Sequence, residues 1–347
     1  MKKQLPTFSF VFVWLCLAWL PPALAQDAQF SQYNRSPIQI NPALTGTAEG
    51  KVRVLAAHRN QRSQVLRGNS FVNHFVSVDT RVLEDNKQSL GIGVSALRDA
   101  SDESNIGSKS LNLSVAYMRM ITGAKGAQHK LRAGIEGGIV DRNFDIWHVR
   151  TAAQFEVSPI FDGLFESNFR HTDINVGVAW QADFPNGNSF TVGMAAHHLN
   201  SPSVSLLDVD EVSMNIRYAV HGTAELGLSD KWSIVPTLLY WRQGGSHTIN
   251  LGSSLRKSFG AVRSQRHIEF GILARWIDTV FTDAGLSNLA LGPILNLYWD
   301  RFSVGMSADV VVQKLQTAGS FDQAFELSFG YLFGQLTEHP SQPILHK

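Results

Sequence analysis

Cysteine is nearly absent from this sequence. Its single copy, Cys16, lies inside an N-terminal apolar run, so the rest of the chain has no thiol, no disulfide and no cysteine-based metal site. Long hydrophobic runs are also scarce. Beyond that N-terminal stretch, nothing approaches the roughly 18 consecutive apolar residues of a membrane helix. Excess charge of either sign is missing too. Without Lys2 and Lys3 the chain carries 28 basic against 29 acidic residues, a net charge of −1, which offers no basic footprint for nucleic acid. No Pro/Ser-rich linker, charge block or composition shift divides the chain into two domains.

The N-terminus has the three parts of a signal peptide. Lys2 and Lys3 precede an apolar core from Phe8 to Leu20, and Ala23-Leu24-Ala25 follows, predicting residues 1–25 as the signal and cleavage before Gln26. Cys16 would leave with it. A chain sent to a membrane without spanning helices has one other way to satisfy its backbone, a closed barrel.

What the sequence has instead is a two-residue rhythm from about Lys51 to Phe333. Thr172, Ile174, Val176, Val178, Trp180 and Ala182 oppose Asp173, Asn175, Gly177, Ala179 and Gln181. Met214, Ile216, Tyr218 and Val220 oppose Asn215, Arg217 and His221 in the same way. Successive strand side chains point to opposite faces, so one face is oily and the other polar or small. Fourteen such segments span about 51–58, 71–82, 90–97, 109–121, 129–140, 171–182, 189–198, 214–228, 231–241, 246–256, 266–277, 288–299, 301–312 and 323–333. The first, second and tenth are weaker, which leaves 12 or 16 strands open; single-chain barrels favour even numbers. The expected fold is all-β, a transmembrane antiparallel β-barrel over 51–333.

Turn chemistry supports this independently. Pro185-Asn186-Gly187, Ser229-Asp230 and Asp300-Arg301 make tight turns after the sixth, eighth and twelfth segments, while most odd-numbered segments end in longer links. Short periplasmic turns alternating with long external loops mark an outer-membrane barrel. That predicts both termini on the periplasmic side, with 26–50 as a periplasmic leader and 334–347 as a periplasmic tail. Trp180, Phe184, Phe190, Trp232, Trp299, Phe302, Tyr331 and Phe333 sit near the ends of the oily faces, where aromatic rings favour the headgroup boundary. Many glycines fall on strands, permitting bends and close packing in a curved sheet. Arg132, Glu136, Arg217, Glu225, Glu269 and Arg275 lie on the inward parity, and a salt-bridged filling explains them better than a selectivity filter.

No catalytic constellation emerges. Gly305-Met306-Ser307-Ala308-Asp309 fails the nucleophile-elbow pattern at its last position, and no Walker loop, zinc helix or EF-hand is present. His197-His198 is a tempting dyad, but neighbours on a strand face opposite ways and would not share a metal or substrate. Asp99, Asp102 and Glu103 lack the glycine turn and bidentate position of a calcium loop. No enzyme activity, metal or cofactor is expected.

The segment before the first strand has amides, aromatics and prolines but no strand period, and suits an extended piece lying beneath or inside the barrel. Its residues Gln26-Asp27-Ala28-Gln29-Phe30-Ser31-Gln32-Tyr33, followed by Asn41-Pro42-Ala43-Leu44-Thr45-Gly46, resemble the opening of the PorP/SprF family of type IX secretion system membrane proteins. His58-Arg59-Asn60-Gln61 is similar to that family's Tyr-Arg-Asn-Gln, with His in place of Tyr. Ser77-Val78-Asp79, Gly91-Ile92-Gly93-Val94-Ser95 and Gly134-Ile135-Glu136-Gly137-Gly138 fit as well. Departures are Arg62, in an expected aromatic position, and a long 141–170 connection. The resemblance implies a non-enzymatic Bacteroidetes outer-membrane barrel embedded in lipid. It would serve secretion, gliding motility or surface anchoring of a secreted adhesin, and contact peptidoglycan-linked periplasmic components. It marks Gln29, Phe30, Ser31, Gln32, Tyr33, Asn41 and Pro42 as partner-binding. The residues alone leave open a porin-like or fatty-acid-type channel for small solutes.

Overall fold

Outward-facing apolar side chains and inward-facing polar ones give each segment its strand geometry, and the sheet closes on itself. The computed structural model describes residues 29–48, 50–61, 70–85, 87–101, 107–123, 126–143, 168–204, 213–259, 266–279, 286–312 and 323–334, without the side chains of 278–279 and 286–288. Fourteen strands form one closed antiparallel barrel. They are β1 (Val52–Gln61), β2 (Phe71–Glu84), β3 (Gln88–Ser101), β4 (Gly107–Thr122), β5 (Gln128–Asn143), β6 (Asn168–Asp183), β7 (Ser189–His197), β8 (Arg217–Gly227), β9 (Trp232–Gln243), β10 (Ser246–Ser258), β11 (His267–Thr279), β12 (Leu286–Trp299), β13 (Phe302–Val311) and β14 (Gln323–Phe333). β1 closes the barrel by pairing with β14, from Val52 opposite Phe333 to Gln61 opposite Ala324.

All fourteen expected segments are strands, including the three weak ones, and the count is fixed at fourteen rather than 12 or 16. The largest difference is at the 141–170 connection. Asp141 and Arg170 are paired across β5 and β6, joined by an exposed 2.5 Å ion pair, and pairing continues to Asn143 and Asn168. β4, β5 and β6 each reach 16 residues, longer than the other strands and beyond the roughly 9–11 that cross a bilayer.

The usual burial rule is inverted. On β14 the apolar Phe325 and Phe329 are 49% and 44% exposed, whereas the charged Glu326 is 1% exposed. The oily side chains face outward because the surrounding solvent is hydrocarbon, and the polar ones face a filled interior. At the end carrying the tight turns, Trp180, Phe190, Trp232, Trp299, Phe302, Tyr331 and Phe333 ring the wall. Tyr331 packs edge-on against Phe302 and Phe333, with ring centres 4.7 Å and 4.4 Å apart. Lys257 lies 5.3 Å over Trp232 and Arg266 lies 5.2 Å over Trp299, pairing ring and cation at one level.

Candidate functional site: the luminal segment

The interior is occupied by the chain that precedes β1. Residues 29–48 cross the lumen in short helical turns, where the sequence suggested an extended run. The two prolines explain the difference: Pro37 starts a one-turn helix, α1 (Pro37–Ile40), and Pro42 starts a 3-10 turn (Pro42–Leu44). Proline presets the helical φ and its missing N–H is not needed at a first position. Between them, Asn41 is fully buried and uses both ends of its amide. Its Oδ1 accepts from the Ala43 N–H at 2.9 Å, capping the turn, while Nδ2 donates to the Val178 and Met194 carbonyls at 3.0 and 3.2 Å. This explains the Asn-Pro-Ala spacing physically. The turn ends at Gly46, whose φ of +72° suits glycine and whose N–H donates to Asp79 at 2.7 Å.

The Gln29–Tyr33 stretch is held mainly by charge. The Ser31 and Gln32 N–H groups donate to the two Glu326 oxygens at 2.6 and 3.0 Å, and the Ser31 hydroxyl donates to Asp309 at 2.7 Å. Arg59 pairs with Asp309 at 3.0 Å and with Glu326 at 3.4 Å, and Arg275 pairs with Asp309 at 2.9 Å. Both guanidinium groups also donate to the Ser31 hydroxyl. Two cations and two anions thus neutralise one another in a buried knot around Ser31, the arrangement that burial of charge demands. Phe30 packs on Phe75 with ring centres 6.2 Å apart, and Tyr33 joins Ile40, Ala219, Leu239 and Trp241 in a small apolar cluster.

The segment touches the wall in every quarter. Arg53 donates to the Leu44 carbonyl, Thr45 to Ser114, and Asn41 reaches His221. His197 bonds the Ile40 carbonyl, Gln29 donates to Thr248, and Arg35 stacks 5.1 Å over Tyr298 while donating to Ser303 and Ser328. Strand glycines make room for it. A Cβ at Gly134 would overlap the Pro42 backbone, and one at Gly177 would overlap the Asn41 side chain. The strand glycines thus serve the close approach of a second backbone.

All seven expected partner-binding residues belong to this one element, and Phe30, Ser31, Gln32, Tyr33, Asn41 and Pro42 are buried against the barrel wall. Gln29 is the first described residue of the segment. Thr248, its partner, is the third residue of β10, close to the β9–β10 link on the long-link side. An even strand count sets Val52 and Phe333 together at the tight-turn end, yet Gln29 lies toward the opposite end because the segment traverses the lumen before entering β1.

The six inward charges all face the lumen side, where Arg256 bridges Glu225 and Glu269 at 2.6 Å each. Arg59, Asp309 and Glu326 were the residues that sequence reasoning underrated; their signal was the inward parity, visible in Glu326 between Phe325 and Leu327. At the histidine pair, the expectation that strand neighbours face opposite ways is corrected. His197 ends β7, and His198 has a φ of +60°, so the alternation stops there and both rings are buried. They hold separate partners, the Ile40 carbonyl and Asp173 at 2.9 Å. Asp99 is in β3 and accepts from Asn73 at 2.6 Å, while Asp102 and Glu103 lie outside the described residues. Among the described residues, no three His, Cys, Asp or Glu side chains gather as metal ligands.

A closed antiparallel sheet with an oily outside and a polar, chain-filled inside defines a β-barrel of the outer membrane. The chain belongs to the PorP/SprF family: the profile of the type IX secretion system membrane protein PorP/SprF matches residues 23–331. No curated protein matches it. Among solved structures, the CymD monoaromatic hydrocarbon channel is 9% identical with a TM-score of 0.49, covering 89% of this chain and 95% of that one. CdiB from Escherichia coli is 10% identical with a TM-score of 0.47, covering 80% of this chain; the chain spans 63% of the length of CdiB. BamA from Haemophilus ducreyi lacking POTRA domains 1–3 is 10% identical with a TM-score of 0.41, over 81% of this chain and 70% of that one.

Proposed function

We propose that this protein is a non-enzymatic scaffold of type IX secretion, a plugged barrel that supports export or surface anchoring of a secreted adhesin. Its long links would face outward and hold the secreted partner. Its tight turns would face the periplasm and meet peptidoglycan-linked components. The observation that carries this reading is the luminal segment: a buried, neutralised knot around Ser31 and a capped turn at Asn41 fill the space a solute would need. The residues of the family motif then act by fixing the plug, and recognition falls to the links, where binding residues commonly sit on a rigid support. In this orientation Gln29 lies toward the external mouth and Gly334 toward the periplasm. The same plug weighs against the porin-like or fatty-acid-type channel. Affinity purification from the native outer membrane tests the proposal, with recovery of type IX components or a large secreted protein expected. A steady open pore of the intact protein in planar bilayers, with no such partner recovered, would overturn it.

A further inference from the structure

At the tight-turn end, the plug and the wall leave a cavity of about 150 Å³ between Thr45–Ala48 and the inward faces of β2 to β6. Three cations line it: Arg81, Lys130 and Arg132. Lys130 is answered by Asp183 at 3.0 Å, and Arg81 uses one guanidinium nitrogen on Glu84 at 2.9 Å. Nearby Asp79 is already bound by Arg53 at 2.8 Å and by the Gly46 N–H. Among these described residues, the three cations Arg81, Lys130 and Arg132 face two carboxylates, Glu84 and Asp183, so one positive charge is in excess. Moreover, Arg81 Nε and Arg132 Nη1 are buried N–H donors with no acceptor among the described residues. A β-bulge between Arg81 and Leu83 shifts the register beside this arginine, a device that re-aims side chains.

A guanidinium cannot shed its proton to escape an unpaired position, and its fork matches two oxygens of one anion. Burying such donors without an acceptor is costly, so an acceptor group in the cavity would be favoured. Its size is below the roughly 300–1,000 Å³ of pockets for drug-sized ligands and suits one small group. The closed sheet separates it from the bilayer, so the group must arrive from the aqueous mouth.

We propose that this cavity is a binding site for a single oxyanion of carboxylate or phosphate type, held between Arg81 and Arg132 with Thr45 and Thr47 beside it. The inference stands apart from the secretion reading, because its test measures only ion binding by the isolated protein. The full-length protein in detergent micelles would be titrated by calorimetry with inorganic phosphate and with the peptide Gly-Glu-Glu, against chloride at matched ionic strength. Saturable binding of one equivalent is expected, weakened roughly tenfold or more in Arg132→Gln, as loss of a charge-assisted bond implies. Heat-modifiable migration would confirm that the variant is folded, and Arg81→Gln supplies a second variant at the same site. Tighter binding of the peptide than of phosphate assigns a protein-borne carboxylate, and the reverse assigns free phosphate; either supports the site. Binding no stronger than chloride, or unchanged binding in both folded variants, would overturn it.

Discussion

The outer and inner faces of the barrel follow different rules, although they alternate residue by residue along the same strands. Phe325 and Leu327 need only be apolar, since lipid chains conform to whatever shape they meet. Glu326 between them accepts from the Ser31 and Gln32 N–H groups and pairs with Arg59. A fluid solvent tolerates substitution, whereas a fixed partner chain does not. The difference teaches that specificity in this protein is concentrated on the inward parity.

Substitutions at neighbouring positions should expose that contrast. The largest effect is expected from Glu326→Ala, which strips Arg59 of one carboxylate and two plug N–H groups of their acceptor. A loss of about 3–5 kcal/mol should appear in urea unfolding from micelles. Leu327→Ala, one residue away on the lipid side, should cost about 1 kcal/mol in the same assay. Equal losses would break the comparison.

Ile135 and Glu136 sharpen it in the other direction. Ile135→Arg places a charge on the oily face, with an expected cost of about 2–4 kcal/mol near the bilayer midplane, measured by folding into vesicles. The inward Glu136 keeps a carboxyl group at the same level, accepting from Asn175 at 2.9 Å. Next comes Gly177→Val, which would crowd Asn41 and cost about 1–3 kcal/mol. With Ala43→Cys as a reporter, maleimide should label the valine variant and leave the glycine protein unlabelled, since Ala43 is fully buried.

The smallest effect lies outside both faces, in the link between β2 and β3. There the Lys87 and Gln88 N–H groups donate to Asp85 Oδ1 at 2.7 and 2.8 Å and hold its carboxyl below the ordinary value of 3.8. A lowered folded-state pKa means that this contribution is full above 3.8 and is lost as pH falls through the lower folded value. The Gln88 amide proton shift should titrate with a midpoint below 3.8, and Asp85→Ala should abolish that titration.

Much of the wall was legible because a strand writes its two faces into alternate residues. Segments such as β6 and β14 needed no tertiary information. Tight turns were marked by Pro185-Asn186-Gly187 after β6 and by Asp300-Arg301 after β12, and the aromatic ring by its place at segment ends. The extension of β5 and β6 was not legible, because Asp141 and Arg170 look like loop residues until they are seen paired. The opposite-face reading of the histidine pair failed for a related reason, although the two rings do hold separate partners. Alternation holds only while the backbone stays extended, and the φ of +60° at His198 is invisible in residue types.

The sequence by itself determined a barrel, its strands and which side chains face in, since these follow from local periodicity and from turn residues. It also marked Gln29–Tyr33 and Asn41-Pro42 as special through their resemblance to a family. Only the tertiary structure decided what those residues do. The knot joining Ser31 to Arg59, Arg275, Asp309 and Glu326 links positions as many as 295 residues apart. No local pattern encodes such a meeting, because it arises only when the sheet closes and brings its inward side chains around one segment.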